Sequence, residues 1–228
     1  HIRQAAGRKP RLLGVAASSA SYAAMEDYLA PATLSRDKRT QVIAALSRAC
    51  DAGSGGSYDL VLFEAGCSIP AGWEPGENAF LFDPYNPREV VERIAGQHED
   101  LSLALARLFA PFRRAVVRRT IHTVARDNAL FSLMTALPNV IPSFAELPWA
   151  VGEFSSDTVV LTANQIRMAF LLAAASDRAV GFHEQRSEIG ALVAGAFGWR
   201  TLARELSGKI PFGGGLAPKA AIAYAGTF

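Results

Sequence analysis

Cysteine and histidine are scarce: Cys50 and Cys67, with His1, His98, His122 and His183, are all that 228 residues contain. No second cysteine pair completes a metal clip and no His-x-x-x-His occurs, so neither a metal centre nor a cofactor is expected. Two cysteines suit a reducing compartment, with room for at most one disulfide. Charge is sparse too, at 19% of residues and a net +2. A nucleic-acid binder carries excess Lys and Arg over most of its surface and interleaves stacking aromatics, so no nucleic-acid partner is expected. The serines Ser18, Ser19 and Ser21 lack the Gly-x-Ser-x-Gly elbow of a hydrolase, and His98-Glu99-Asp100 reads as a solvated helix face. No catalytic residue is assigned.

Long hydrophobic runs are also missing. The most apolar stretch, Val159 to Ala175, is 17 residues long and holds Asn164, Gln165 and Arg167 near its middle. A spanning helix needs about 20 mostly apolar residues, and a central charge costs roughly 2.5–3.5 kcal/mol on insertion scales. It reads as a buried core helix. Because Ile189 to Leu206 is Ala/Gly-rich as well and mean hydropathy is +0.15, entry of residues 159–206 into a membrane is the alternative. The expected location is the cytoplasm, either free, peripheral to the inner membrane or integral to it through that stretch. The opening His1-Ile2, with no methionine and no cleavable leader, reads as a piece of a longer polypeptide.

What is present is organised. Half the residues are hydrophobic, enough for a sizeable core. Counting Lys and Arg against Asp and Glu gives 8 to 3 in residues 1–50, 3 to 10 in 51–110, 5 to 1 in 111–137 and 7 to 7 in 138–228. The balance is thus +5, −7, +4 and zero.

The first hundred residues alternate strand and helix patterns. Arg11 to Ala17 and Tyr58 to Phe63 are short apolar runs suited to buried strands, and Ala79 to Phe82 follows the Gly/Pro-rich segment Gly66 to Gly76. Met25 to Leu29 and Arg39 to Cys50 read as helices, and Pro87 suits the first position of another. Beyond Arg88 only helical patterns are found. The fold class expected is α+β and mostly helical: a small α/β unit with a mainly parallel sheet at residues 1–87, then an all-helical domain at 88–228. Along Phe112 to Leu137, Val116, Val117, Ile121, Val124, Phe131 and Met134 fall on one arc, and Arg114, Arg118, Arg119, His122 and Arg126 on the other.

Three prolines, Pro138, Pro142 and Pro148, forbid a regular helix through the next segment. Helices are then expected to about Ser176, from His183 to Leu206, and from near Pro218 onward.

Within this helical part, Ile141-Pro142, Leu147-Pro148, Leu161 to Met168, Ala194 to Arg200, Lys209-Ile210-Pro211, Gly213 to Gly215 and Ala221 to Thr227 follow one another in a distinctive order. Over these 90 or so residues the chain resembles the YcjF-like family of bacterial domains, which recurs fused to or encoded beside Era-like GTPases. The resemblance implies a helical module associated with a GTPase or with membrane stress, and no chemistry of its own.

A GTPase companion directs attention to nucleotide motifs in the N-terminal unit. A P-loop needs Gly-x-x-x-x-Gly-Lys-[Ser/Thr]; here Gly14 is followed by Val-Ala-Ala-Ser and then Ser19-Ala20-Ser21, without the second glycine or the lysine. Likewise Tyr58 to Phe63 ends in Glu64-Ala65-Gly66 rather than Asp-x-x-Gly. Either this is a degenerate GTPase-like unit, or the partial match arose by chance. Neither reading leaves efficient hydrolysis.

The candidate sites are therefore contacts. Arg114, Arg118, Arg119 and Arg126, with Lys209 and Lys219 flanking the glycine loop Gly213 to Gly215, form a candidate anion or lipid-headgroup contact. A solvated face, or pairing of the stripe with the acidic segment 51–110, competes with that reading. Asn164, Gln165 and Arg167 need polar partners if buried, with Glu146, Glu153 or Asp157 the suppliers for the arginine. The expected function is a non-enzymatic interaction or regulatory module, its partner a protein such as a GTPase or an anionic membrane surface. The alternative is a weak nucleotide-binding protein or enzyme that uses the loop from Gly14 to Ser21. Oligomeric state is not readable.

Overall fold

The computed structural model describes residues 1–49, 57–136, 156–192, 194–195, 216–225 and 227. It is mostly helical with one small parallel sheet, the α+β class expected. By internal contacts the chain divides into two compact units, one of His1–Val117 with Ala174–Arg178, the other of Arg118–Ala173 with Ala179–Phe228.

In the first unit, α1 (Ile2–Ala6) leads into β1 (Leu12–Val15), α2 (Ser19–Leu29), α3 (Arg36–Ala45), β2 (Leu46–Arg48), β3 (Leu60–Phe63) and β4 (Ala79–Leu81). Then come α4 (Pro87–Gln97), α5 (Glu99–Leu108) and α6 (Ala110–Ala136). The strand order is β2-β1-β3-β4 and every pairing is parallel. Leu12 pairs with both Leu46 and Leu60, and Gly14 with Arg48 and Leu62. The chain therefore leaves β1 in one direction, to β2, and the remaining strands lie on the other side. Right-handed crossovers require that a reversal of direction also switch faces, and it does. The β1–β2 connection puts α2 on the Gly14 face, whereas the β3–β4 connection, residues 64–78, packs Cys67, Ile69 and Trp73 against Leu13, Val15, Val61 and Ala79 on the opposite face.

On the helix-covered face the sheet contributes Leu12, Leu60, Leu62 and Phe80, all fully buried with Met25 and Leu29 of α2 and Ile94 of α4. Phe80 meets the His98 ring edge-on at 5.6 Å, and Phe82 meets Tyr28 at 5.9 Å. Burial pushes the Tyr28 phenol above its ordinary value, against the opposing influence of the nearby Arg88. Helix starts follow local chemistry. Ser18 and Ser35 cap α2 and α3 by accepting the N–H of Ser21 and Lys38, and Pro87 opens α4.

In the second unit α6 continues toward Ala136, followed by α7 (Ser156–Ala175), a helical stretch at 186–192 (α8) and α9 (Leu216–Ala225). Val124, Ala125 and Met168 are buried. No described helix is long and apolar enough to cross a membrane, α7 included. The end of α7 returns to the first unit, where Asp177 adopts a left-handed conformation at φ 59°. Aspartate tolerates that region better than most side chains. Its carboxylate accepts from Lys38 Nζ at 2.7 Å and from Arg107 Nε at 2.8 Å.

Gly14 is required by packing. A Cβ there would sit 2.8 Å from the Tyr22 ring and 3.1 Å from Met25 Sδ. Gly14→Ala is expected to destabilise the protein by about 1–3 kcal/mol, the usual penalty of overpacking, read as a lowered urea midpoint with unchanged slope.

Candidate functional site

Ligands of doubly wound sheets bind outside the carboxyl ends of the strands, where the strand order reverses. Here that point lies between β1 and β3. The connection after β1 is Ala16 to Ser18, followed directly by α2, and the residue after β3 is Glu64. The Glu64 N–H donates to Val15 O at 2.9 Å, so the ladder carries the two strand ends out side by side.

The Glu64 side chain then turns into the β1–α2 connection. Its Oε2 accepts the Ala17 N–H at 2.9 Å and its Oε1 accepts the Ser21 hydroxyl at 2.9 Å. Ser21 Oγ also lies 3.0 Å from Ser18 Oγ. Since Ser21 gives its only hydroxyl proton to the carboxylate, Ser18 must be the donor in that pair, while Ser18 Oγ accepts the Ser21 N–H at 3.0 Å. The result is a closed relay from Ser18 to Ser21 to Glu64.

This arrangement reverses what a phosphate cradle needs. The Ala17 N–H, which could face an anion, already faces a protein carboxylate, and the Ser21 N–H is taken by Ser18 Oγ. A phosphate oxygen about 4 Å from that carboxylate would meet a repulsion of roughly 4 kcal/mol per pair of unit charges at an effective dielectric near 20. Gly14 does not substitute for a loop glycine, because it lies within β1 and faces α2.

One residue of this site was not anticipated. Arg48, delivered by β2, donates Nη1 to Ser19 Oγ at 3.0 Å and stacks over the Tyr22 ring at 5.6 Å. The signal that could have found it is its place at the end of a strand paired with β1, but Leu46 to Arg48 reads as the tail of a helix. The sequence expectation of a helix from Arg39 to Cys50 is corrected accordingly: α3 stops at Ala45.

The polar groups of α7 are placed unevenly. Asn164 is half-buried and donates Nδ2 to Asn128 Oδ1 at 2.9 Å. Asn128, 1% exposed, donates Nδ2 to Thr227 Oγ1 at 2.9 Å, and Thr227 donates its hydroxyl to Ala223 O at 3.0 Å. Three helical segments are thereby joined by amides and a hydroxyl. Gln165 is half-buried, whereas Arg167 is exposed. One step back along α7 from the buried Met168, Arg167 is turned about 100° around the axis, and the acidic partners expected for it, Glu146, Glu153 or Asp157, have side chains outside the described residues. Asn128 and Thr227 were missed, being ordinary polar residues in the sequence whose importance comes from burial.

The arginines Arg114, Arg118, Arg119 and Arg126 are exposed on α6, while Val116 and Val124 of the opposite arc are buried. His122 Nδ1 lies 3.1 Å from the Tyr224 hydroxyl. Glu146, Glu153 and Lys209 lie outside the described residues, as do the side chains of Asp157 and Lys219. Among the described residues no three His, Cys, Asp or Glu side chains converge to hold a metal ion. Cys67 is a free thiol.

Comparison with models of protein families, with curated proteins and with solved structures gives no match in any of the three.

Removing the Glu64 carboxylate leaves the Ala17 N–H and the Ser21 hydroxyl without their acceptor. Glu64→Ala is expected to cost about 1–3 kcal/mol in chemical denaturation, and Glu64→Gln, which keeps one oxygen, less than half as much. In the second unit Asn128→Ala should cost about 1–3 kcal/mol, while Arg167→Ala should stay within about 0.5 kcal/mol of the parent in the same chemical-denaturation series.

Proposed function

We propose that this chain is a non-enzymatic interaction or regulatory module of a bacterial GTPase-associated or membrane-stress system, bound to a protein partner or an anionic membrane surface. The observation that carries the non-enzymatic part is the Glu64 carboxylate in the β1–α2 connection. Where a parallel sheet of this order presents its loops to a ligand, the chain supplies its own carboxylate to the Ala17 N–H and the Ser21 hydroxyl. A loop arranged in this way holds two strand ends together and directs negative charge into the space a phosphate would use. The association with GTPases rests on the resemblance of residues 137–228 to the YcjF-like family. The contact role rests on the exposed arginines of α6, which project their charge where an acidic partner or headgroup reaches it.

A second reading, weak nucleotide binding at the same loop, is favoured by Arg48 alone. Its guanidinium stands at the start of α2 and brings positive charge to the carboxyl end of the sheet.

Calorimetric titration separates the two. With GTP or ATP and Mg²⁺ the full chain is expected to give no binding heat at ligand concentrations up to about 1 mM, the limit at which affinity falls to roughly −4 kcal/mol. Micromolar binding that disappears in Ser21→Ala or Arg48→Ala would replace the first reading with the second.

A further inference from the structure

Residues 174–178 belong to the first unit, although the chain before and after them belongs to the second. Their apolar hold is small. Ala174 and Ala175 are fully buried, but a methyl group removes far less apolar area from water than a leucine side chain does. Asp177 then closes the turn after α7, its N–H donating to Ala174 O at 3.2 Å while its backbone stands in the left-handed region at φ 59°. A residue with a Cβ stays in that region only where its surroundings hold it.

The surroundings here are two cations. Lys38 Nζ of α3 donates to Asp177 Oδ2 at 2.7 Å and Arg107 Nε of α5 donates to Oδ1 at 2.8 Å, so each carboxylate oxygen has a donor of its own. The Lys38 side chain is 18% exposed, that of Asp177 33% and that of Arg107 39%. Among the described residues neither cation has a second acidic partner. Arg39, next along α3, pairs with Asp27, and Asp100 at the start of α5 pairs with Arg8. A single negative charge therefore answers positive charges from two helices. Without it a largely buried lysine has no counter-charge, a state that costs more than the pair itself contributes.

We propose that Asp177 is an ionic clasp: it holds residues 174–178 on α3 and α5, and loss or screening of its charge opens that segment while the sheet stays folded. Opening breaks both ion pairs together and lets the left-handed backbone relax, so the segment goes from held to free in one step. Because all three side chains keep some contact with water, the clasp responds to ionic strength, the screening length falling from about 10 Å at 0.1 M salt to about 3 Å at 1 M. The sheet does not share that response. Its hold is the fully buried Leu12, Leu60, Leu62 and Phe80, which carry no charge to screen.

Native-state hydrogen exchange on the full chain tests this, since it separates local opening from global unfolding. In the wild type, exchange within residues 174–178 is expected to rise about threefold between about 0.1 M and 1 M NaCl, with β1 and β3 unchanged. Asp177→Asn keeps the shape and the tolerance of left-handed backbone and removes only the charge. It should raise exchange in the segment about tenfold at 0.1 M NaCl and abolish the response to salt. Lys38→Met and Arg107→Met should each give part of that increase, and either one combined with Asp177→Asn should add little, because the partner is already gone. Equal protection of the segment in wild type and Asp177→Asn overturns the proposal. So does a wild-type segment indifferent to salt, or an increase in Asp177→Asn that spreads equally over β1 and β3, which would make the carboxylate a support of the whole unit.

Discussion

The carboxylate of Glu64 is the constraint around which the carboxyl edge of the sheet is built. A parallel sheet brings several strand ends and helix starts to one edge, and the N–H groups there point outward and need acceptors. Many proteins leave that need for a ligand to meet. In this chain Glu64, just past β3, meets part of it at the Ala17 N–H, and three consequences share that cause. The β1–α2 connection is fixed without a second glycine, Ser18 is free to cap α2, and Ser21 becomes a link between helix and sheet. Arg48 then completes the edge from the other side of β1, stacked on Tyr22 rather than directed at an anion.

The second unit shows the complementary use of polar groups. Asn128, Asn164 and Thr227 form a short chain of hydrogen bonds among segments whose described buried apolar residues include Val124, Ala125 and Met168. Apolar helices of this kind slide and rotate at little cost, because one methyl replaces another. A buried amide does not, since each misplacement strands a donor or acceptor away from water. The network therefore specifies how α6, α7 and the segment around Thr227 line up, while Arg167 on α7 is exposed.

Much of the architecture was legible because it rests on local chemistry. The apolar runs that became β1, β3 and β4, the proline that opens α4 and the two-sided pattern of α6 are all written in neighbouring residues. What was not legible depends on residues far apart. β2 is three residues long, and only its ladder with β1 separates it from the end of α3. The start of α2 at Ser19, six residues before the first helical position expected, follows from the Ser18 cap. The loop from Gly14 to Ser21 stood out by its spacing, yet the carboxylate that turns into it, Glu64, lies 43 residues beyond Ser21, and Gly14 within it leaves room for Tyr22. Spacing identifies a loop; only the fold says which carboxylate turns into it.

The position of Asp177 has a bearing on how the chain is made. This carboxylate holds Lys38 of α3 and Arg107 near the end of α5, so the N-terminal unit includes groups that leave the ribosome some 70 and 140 residues earlier. During vectorial synthesis, at about 5–20 residues per second, several seconds separate Arg107 from the carboxylate of Asp177. A lysine on α3 and an arginine on α5 thus meet their shared carboxylate only after residues 118–173 have been made.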